Sequence, residues 1–271
     1  MADAHYELYY WPEIQGRGEF IRLALEEAGV PYVDVARLPE KMGGGIPAMM
    51  KILKNGDGGL AHFAPPILKS DDLLISQTPA ILAHVAAQHG LVPDDEASRL
   101  HAHQLQLTMA DFVVEAHDVH HPIGSSLYYE EQKPESKRRA VVFHKERLPK
   151  YLGYFERVLE RNESGRGLYL IGSNPTYVDL SMFQIISGLL YAFPKSMARL
   201  APTIPRLLSL RERVAARPRI AAYLASNRRI PYNLQGLFRY YPELDDNPKK
   251  SKPKPKAQAR TRTRTRARAR K

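Results

Sequence analysis

The apolar pattern of this chain changes period once, near Gly90, and that switch limits the possible architecture more than any other feature. Before it, short alternating runs are interleaved with helical ones. "HYELYY" sets Tyr6, Leu8 and Tyr10 on one face and Glu7 and Tyr9 on the other, the period of a strand. "GEFIRLALEEAGV" places Phe20, Ile21, Ala24, Leu25 and Ala28 on one helical stripe, which Gly29 ends. "PYVDVA" (31–36) reads as a strand and "PAMMKIL" (47–53) as a short helix. "PPILKSDDLLI" (65–75) reads as a hairpin turning at Ser70, Asp71 and Asp72, and "TPAILAHVAAQHG" (78–90) as a helix ending at Gly90.

That β-α-β-α-β-β-α order predicts a small thioredoxin-like α/β domain over residues 1–90. "GLVPDDEAS" (90–98) is a polar linker, and beyond it no convincing strand pattern appears before the tail. Helices are expected near 98–120, 137–162, 176–191, 203–217 and 218–227, the second bent at Pro149, which removes a backbone donor. "TYVD" (176–179) has the Thr-x-x-Asp spacing of a capping box. The expected fold class is therefore α/β followed by all-α, with a helical domain over 97–240 and a tail over 241–271.

Charge separates that tail from the body. Of 40 Lys and Arg residues, 12 fall between Lys249 and Lys271 without a single acid, leaving 28 against 29 Asp and Glu elsewhere. The net charge of +11 thus belongs to a Lys-Pro, Arg-Thr and Arg-Ala tract that repels itself and has little to bury. Disorder and non-specific polyanion binding are the expectation there. A nucleic-acid reading of the whole protein finds little support in a balanced body. The chain has no cysteine, which excludes disulfides, thiolate metal sites and a cysteine nucleophile. Any thiol chemistry must use a thiol brought by a ligand. No stretch has the length and apolarity of a membrane span, and the start lacks a basic segment followed by an apolar core, so a cytoplasmic location is expected.

Three separated stretches point to one chemistry. Tyr10-Trp11-Pro12 is followed by Gly16-Arg17 at a helix entrance; "FAPPIL" carries Pro66 at the start of the hairpin; "SQTPAIL" opens a helix with Gln77 and Thr78. A loop leading into a helix N-terminus suits an anionic ligand. In order and spacing these motifs resemble the cytosolic glutathione transferases of the tyrosine-type classes (sigma, mu, pi and alpha), over about residues 5 to 235. The resemblance implies an enzyme that conjugates the thiolate of glutathione, its co-substrate, to hydrophobic electrophiles in detoxification, or reduces peroxides, without a metal and as a homodimer.

The same resemblance distributes the roles. Tyr10, preceding Trp11, matches the tyrosine that donates to the glutathione sulfur and favours thiolate over thiol. The loop to Gly16 looks one residue longer than in several classes, which keeps Tyr9 open as the alternative. Arg17 adds positive potential beside the sulfur. Pro66 matches the family's cis-proline, but Pro65 before it has no N–H, so only its carbonyl can meet the cysteinyl part. Gln77 and Thr78 suit the γ-glutamyl carboxylate; Thr78 is equally a plain N-cap before Pro79. Lys51 is assigned to the glycyl carboxylate, with Lys54 nearby. Asp111 matches the aspartate that reaches a neighbouring subunit's glutathione amine. His117, His121 and Tyr128 are assigned to the electrophile pocket, with Phe143 and Phe238 as further lining.

His117 and His121 also stand at i and i+4 with Asp118 between them, a spacing that helices use for metals. No Glu-x-x-His pair accompanies them, and the sequence reading is that there is no metal. Two rival functions remain: a non-catalytic binding module on a transferase-like scaffold, and a polyanion binder that uses the body for dimerisation. Retention of Tyr10, Arg17, Gln77 and Thr78 argues against the first.

Overall fold

The computed structural model describes residues 6–55, 61–124 and 126–245. Two expectations lie partly outside these residues: the Gly-rich stretch after Asn55 and the basic tail beyond Asp245.

The N-terminal part is a four-stranded sheet in the order β2-β1-β3-β4. Strand β1 (Tyr6–Tyr9) runs parallel to β2 (Tyr32–Asp34) and antiparallel to β3 (Ile67–Ser70), which pairs in turn with β4 (Leu73–Ser76). Side-chain alternation sends Tyr6, Leu8 and Leu68 into the main core, with helices α1 (Gly18–Ala28) and α3 (Thr78–His89). Tyr9 and Ile67 point the other way and pack with Val35, Ala36 and Met49 of α2 (Gly45–Asn55). The hairpin turns at Asp71, whose φ of 52° an aspartate tolerates better than most residues. The peptide bond between Pro65 and Pro66 is cis.

From Glu96 onward the described residues form helices and turns only. Helix α4 (Glu96–His117) buries Ala102, Leu105, Gln106, Met109, Phe112, Val113 and Ala116 along one stripe. The helix expected over 137–162 begins earlier and is interrupted: α5 (Lys133–Val142) passes through a π-turn at Phe143–Arg147 into α6 (Leu148–Arg161). The widened turn lies just ahead of Pro149, where the missing N–H breaks the regular ladder. Helix α7 (Tyr177–Ala192) is buried along nearly its whole length and forms the axis of the helical part. Its predicted capping box is present: Asp179 accepts from Thr176 N at 2.7 Å, Thr176 Oγ1 at 2.8 Å and Leu170 N at 2.8 Å. Helices α8 (Pro194–Leu200), α9 (Pro205–Ala215) and α10 (Pro218–Leu224) follow, and α8 was not anticipated.

The boundary drawn at 241 needs correction. Leu244 is buried, and the buried Asp245 accepts from Lys195 N and Ser196 N at 2.7 and 3.0 Å, capping α8. A carboxylate at a helix N-terminus holds the chain down for several residues past the expected start of the tail.

Candidate functional site

The loop between β1 and α1 is built around Tyr10. Its ring lies directly beneath Gly16 and Gly18; a Cβ on either would fall within 2.1 Å and 2.5 Å of its atoms. Gly16 also has a φ of +47°, so the close approach and the backbone both call for glycine there. The Tyr10 hydroxyl accepts a hydrogen bond from the Arg17 backbone N–H at 2.8 Å. Burial raises its pKa, against the smaller opposing effects of that bond and of the Arg17 and Arg22 charges, so it stays a protonated phenol. Tyr9 sits on the opposite face of the sheet, its hydroxyl donating to Glu7.

A buried polar network ties this loop to the helical part. Arg22 donates to Asp34 at 2.7 Å and to Glu19 at 3.2 Å, and Glu19 also takes bonds from Tyr223 at 2.8 Å and from Arg229. Gln184 on α7 donates to Gln15 at 2.7 Å. The loop position is therefore set from both sides of the molecule.

In front of the loop lies a cleft of about 190 Å³ between α1, α3 and α4. It brings together Arg17, Gln77, Thr78 and Asp111, four residues predicted from three distant stretches. Gln77 precedes α3 with a φ of 71°, a strained value that turns the chain sharply into the helix and leaves the α3 N-terminus open to the cleft. Two buried polar atoms on its lining residues, Thr78 Oγ1 and Gln106 Oε1, have no hydrogen-bond partner among the described residues. An unpaired buried acceptor is costly, and a polar ligand would relieve it. Gln106 escaped the sequence reading; its signal is a glutamine on the otherwise apolar stripe of α4.

Other predicted residues stand apart. Tyr10, Trp11, Lys51 and Pro65 are all absent from the cleft lining. Asp111 faces the cleft of its own chain. A second cavity, about 420 Å³, is lined by His121, Tyr128, Tyr129, Arg239 and Tyr241 among others. Phe143 and Phe238 are not part of it. Phe143 is fully buried in the helical core, and Phe238 is wedged against Gly188, where a Cβ would fall 2.2 Å from the ring. Both were drawn inward because an aromatic ring gains more from core packing than from a half-open wall.

His117 turns toward His120 and His121, and burial lowers all three imidazoles, to about 4, 2 and 4 respectively. The Arg17 charge also lowers His117, which links the histidine cluster to the cleft electrostatically. All three are neutral near pH 7.

Comparison with known proteins fits this geometry. The family model for the glutathione S-transferase C-terminal domain matches residues 117–227. A glutathione S-transferase of Plasmodium falciparum is 24% identical over 228 residues, covering 83% of this chain and 97% of the relative. Glutathione S-transferase P 1 of Xenopus laevis is 27% identical over 226 residues, covering 83% and 93%. Among solved structures, the pi-class glutathione S-transferase of Onchocerca volvulus superposes with a TM-score of 0.61 at 23% identity, covering 81% of this chain and 91% of that one. Prostaglandin synthase D of Nilaparvata lugens does so with 0.63 at 20%, covering 84% and 100%. The mixed sheet, the helical part that follows it and these likenesses together make the chain similar, in fold and in sequence, to the cytosolic glutathione S-transferases.

Proposed function

We propose that the protein is a glutathione transferase whose cleft binds the tripeptide and whose His121 cavity receives a hydrophobic electrophile. The observation that carries this is the meeting of Arg17, Gln77, Thr78 and Asp111 around unpaired buried polar atoms at the α3 N-terminus. The γ-glutamyl carboxylate suits Gln77, Thr78 and the helix end; its amine suits Asp111. Arg17 supplies positive charge beside the sulfur, and Tyr10, held protonated, keeps an O–H to donate while its oxygen accepts from the Arg17 N–H. Trp11, the Pro65 carbonyl and Lys51 complete the reading for the rest of the tripeptide, with Lys51 toward the glycyl carboxylate. Conjugation to electrophiles in detoxification is the leading activity, and peroxide reduction uses the same thiolate.

The assembly reading is a homodimer about α4, with Asp111, which faces the cleft of its own chain, serving that chain's glutathione and not a neighbouring subunit's. Leu100, Leu107 and Val114 recur every seven residues along α4 and are exposed by 62%, 47% and 44%. An apolar stripe of that spacing is what a self-complementary helix face needs. No helix among the described residues is long and apolar enough to cross a membrane. The proposed organisation is a thioredoxin-like domain to residue 90, a helical domain from 97 and a polyanion-binding tail after the packed segment.

A second reading, a non-catalytic glutathione-binding scaffold, is favoured by the burial of Tyr10 and its absence from the cleft lining. Calorimetric titration with glutathione and turnover of glutathione with an activated chloronitrobenzene separate the two. Binding with turnover, both weakened in Thr78→Val and Asp111→Asn, supports the enzyme. Binding without turnover supports the scaffold. Absence of binding overturns both.

A further inference from the structure

Three imidazoles converge where α4 ends. His117 is the last residue of the helix, and its carbonyl accepts from His120 N at 3.1 Å, so the following turn carries His120 and His121 round to the same side. The ring centres are 4.8 Å apart for His117 and His120, 5.0 Å for His117 and His121, and 4.8 Å for His120 and His121. Their ligand-capable nitrogens lie within 4.8 Å of one another. From this convergence we infer that His117, His120 and His121 form a binding site for a divalent transition metal, with an open fourth position on the cavity of Tyr128 and Arg239.

The spacing fits an ion at the centre. An imidazole nitrogen sits about 2.0–2.1 Å from zinc. With the ring centre a further ångström or so behind its nitrogen, three imidazoles arranged tetrahedrally have centres roughly 5 Å apart. Hydrogen bonding selects the right nitrogen as well. The Leu237 carbonyl can only accept, so the 2.9 Å contact from His120 Nε2 places the proton there and turns the Nδ1 lone pair inward. That Nδ1 meets His121 Nδ1 at 2.5 Å. An ion between the two nitrogens replaces this hydrogen bond and moves them apart to about 3.4 Å, the separation across a tetrahedral site. The Asp118 carboxylate, 3.6 Å from His117 Nδ1, adds negative charge at the rim.

Ligand type and neighbouring charge narrow the occupant. Imidazole donors select zinc, copper, nickel or cobalt over magnesium or calcium. His121 and Arg239 line the same cavity, and the Arg239 guanidinium is tied back to the carbonyls of Gly236 and Gln235 at 2.8 and 3.0 Å. A fixed cation opposes a dication unless an anion lies between them. The fourth ligand is therefore anionic, held between the metal and Arg239.

The test uses the full chain, stripped with chelator and titrated with zinc and with cobalt(II). One equivalent per chain is expected, with the strong visible absorption of tetrahedral cobalt, and azide should shift that spectrum by taking the fourth position. His117→Gln and His121→Gln should each weaken zinc binding by more than about 100-fold, beyond what loss of an outer hydrogen-bond partner costs. His101→Gln, an exposed position on the same helix, should leave it unchanged. Failure to take up either metal in excess, a weak octahedral cobalt spectrum, or unaltered affinity in both histidine variants overturns the site. A spectrum that azide does not move overturns the open position. The cobalt spectrum of the unaltered chain stands independently of how the variants fold, and melting curves of both variants identify any that do not.

Discussion

Replacing Tyr10 by Phe removes one oxygen and tests two roles at once. In the structure that oxygen accepts from the Arg17 N–H at 2.8 Å in a site only 5% exposed. Losing the acceptor leaves a backbone donor unmet at the entrance to α1, a cost of about 1–3 kcal/mol. For a domain of this size, each kcal/mol lowers the melting temperature by roughly 2–4 °C. The phenol proton is the second role. A hydrogen bond to a charged partner contributes about 1.5–3 kcal/mol, and 1.36 kcal/mol is one pKa unit. The bound thiol should therefore rise by roughly one to two units, slowing conjugation at neutral pH by about ten- to a hundredfold. The assay is the pH titration of glutathione thiolate absorbance on the enzyme, run beside a thermal melt. A lower melting temperature with an unmoved titration refutes the catalytic role and leaves Tyr10 as the peg of the Arg17 loop. Tyr9→Phe is the control: its hydroxyl serves Glu7 on the far side of the sheet, so its titration should match the unaltered protein.

Three other outcomes follow from separate parts of the molecule. Asp179→Ala removes the acceptor for Leu170 N, Thr176 N and Thr176 Oγ1 inside a fully buried cap, and chemical denaturation should show a loss of about 3 kcal/mol or more. Burial works against the Glu115 charge, but bonds from Arg147 at 2.9 Å and Tyr151 at 3.0 Å outweigh it and hold the carboxyl below its ordinary 4.5. Its stabilising contribution is thus present above about pH 4.5 and lost as pH falls below it, so Glu115→Gln should flatten the acid limb of a stability-against-pH curve. Deleting residues 249–271 removes 12 positive charges and should abolish salt-sensitive binding to a nucleic-acid duplex, read by fluorescence anisotropy, while leaving glutathione conjugation unchanged.

Local physics made much of this protein legible before any folding was considered. The single change of period near Gly90 separated sheet from helices because side-chain alternation and the 3.6-residue repeat are properties of the backbone itself. Tyr6–Tyr9 and Gly18–Ala28 followed from that periodicity, and the Thr176–Asp179 cap from its spacing. Gly16 and Gly18 were visible as glycines, but the Tyr10 ring they accommodate was not, since a close approach needs both partners in place. The cleft residues were found only as separate motifs. Their meeting depends on how α4 crosses α3, which side-chain packing between distant segments decides. Phe143 and Phe238 were misplaced for the same reason: an aromatic residue on a helix has no address until a neighbouring surface offers it a hole. His120 shows the limit most clearly. Sequence spacing pairs His117 with His121, but it is the tight turn after α4 and the Leu237 carbonyl, 117 residues away, that aim the third imidazole at the other two. Periodicity is written into each segment, whereas convergence exists only once the segments are packed.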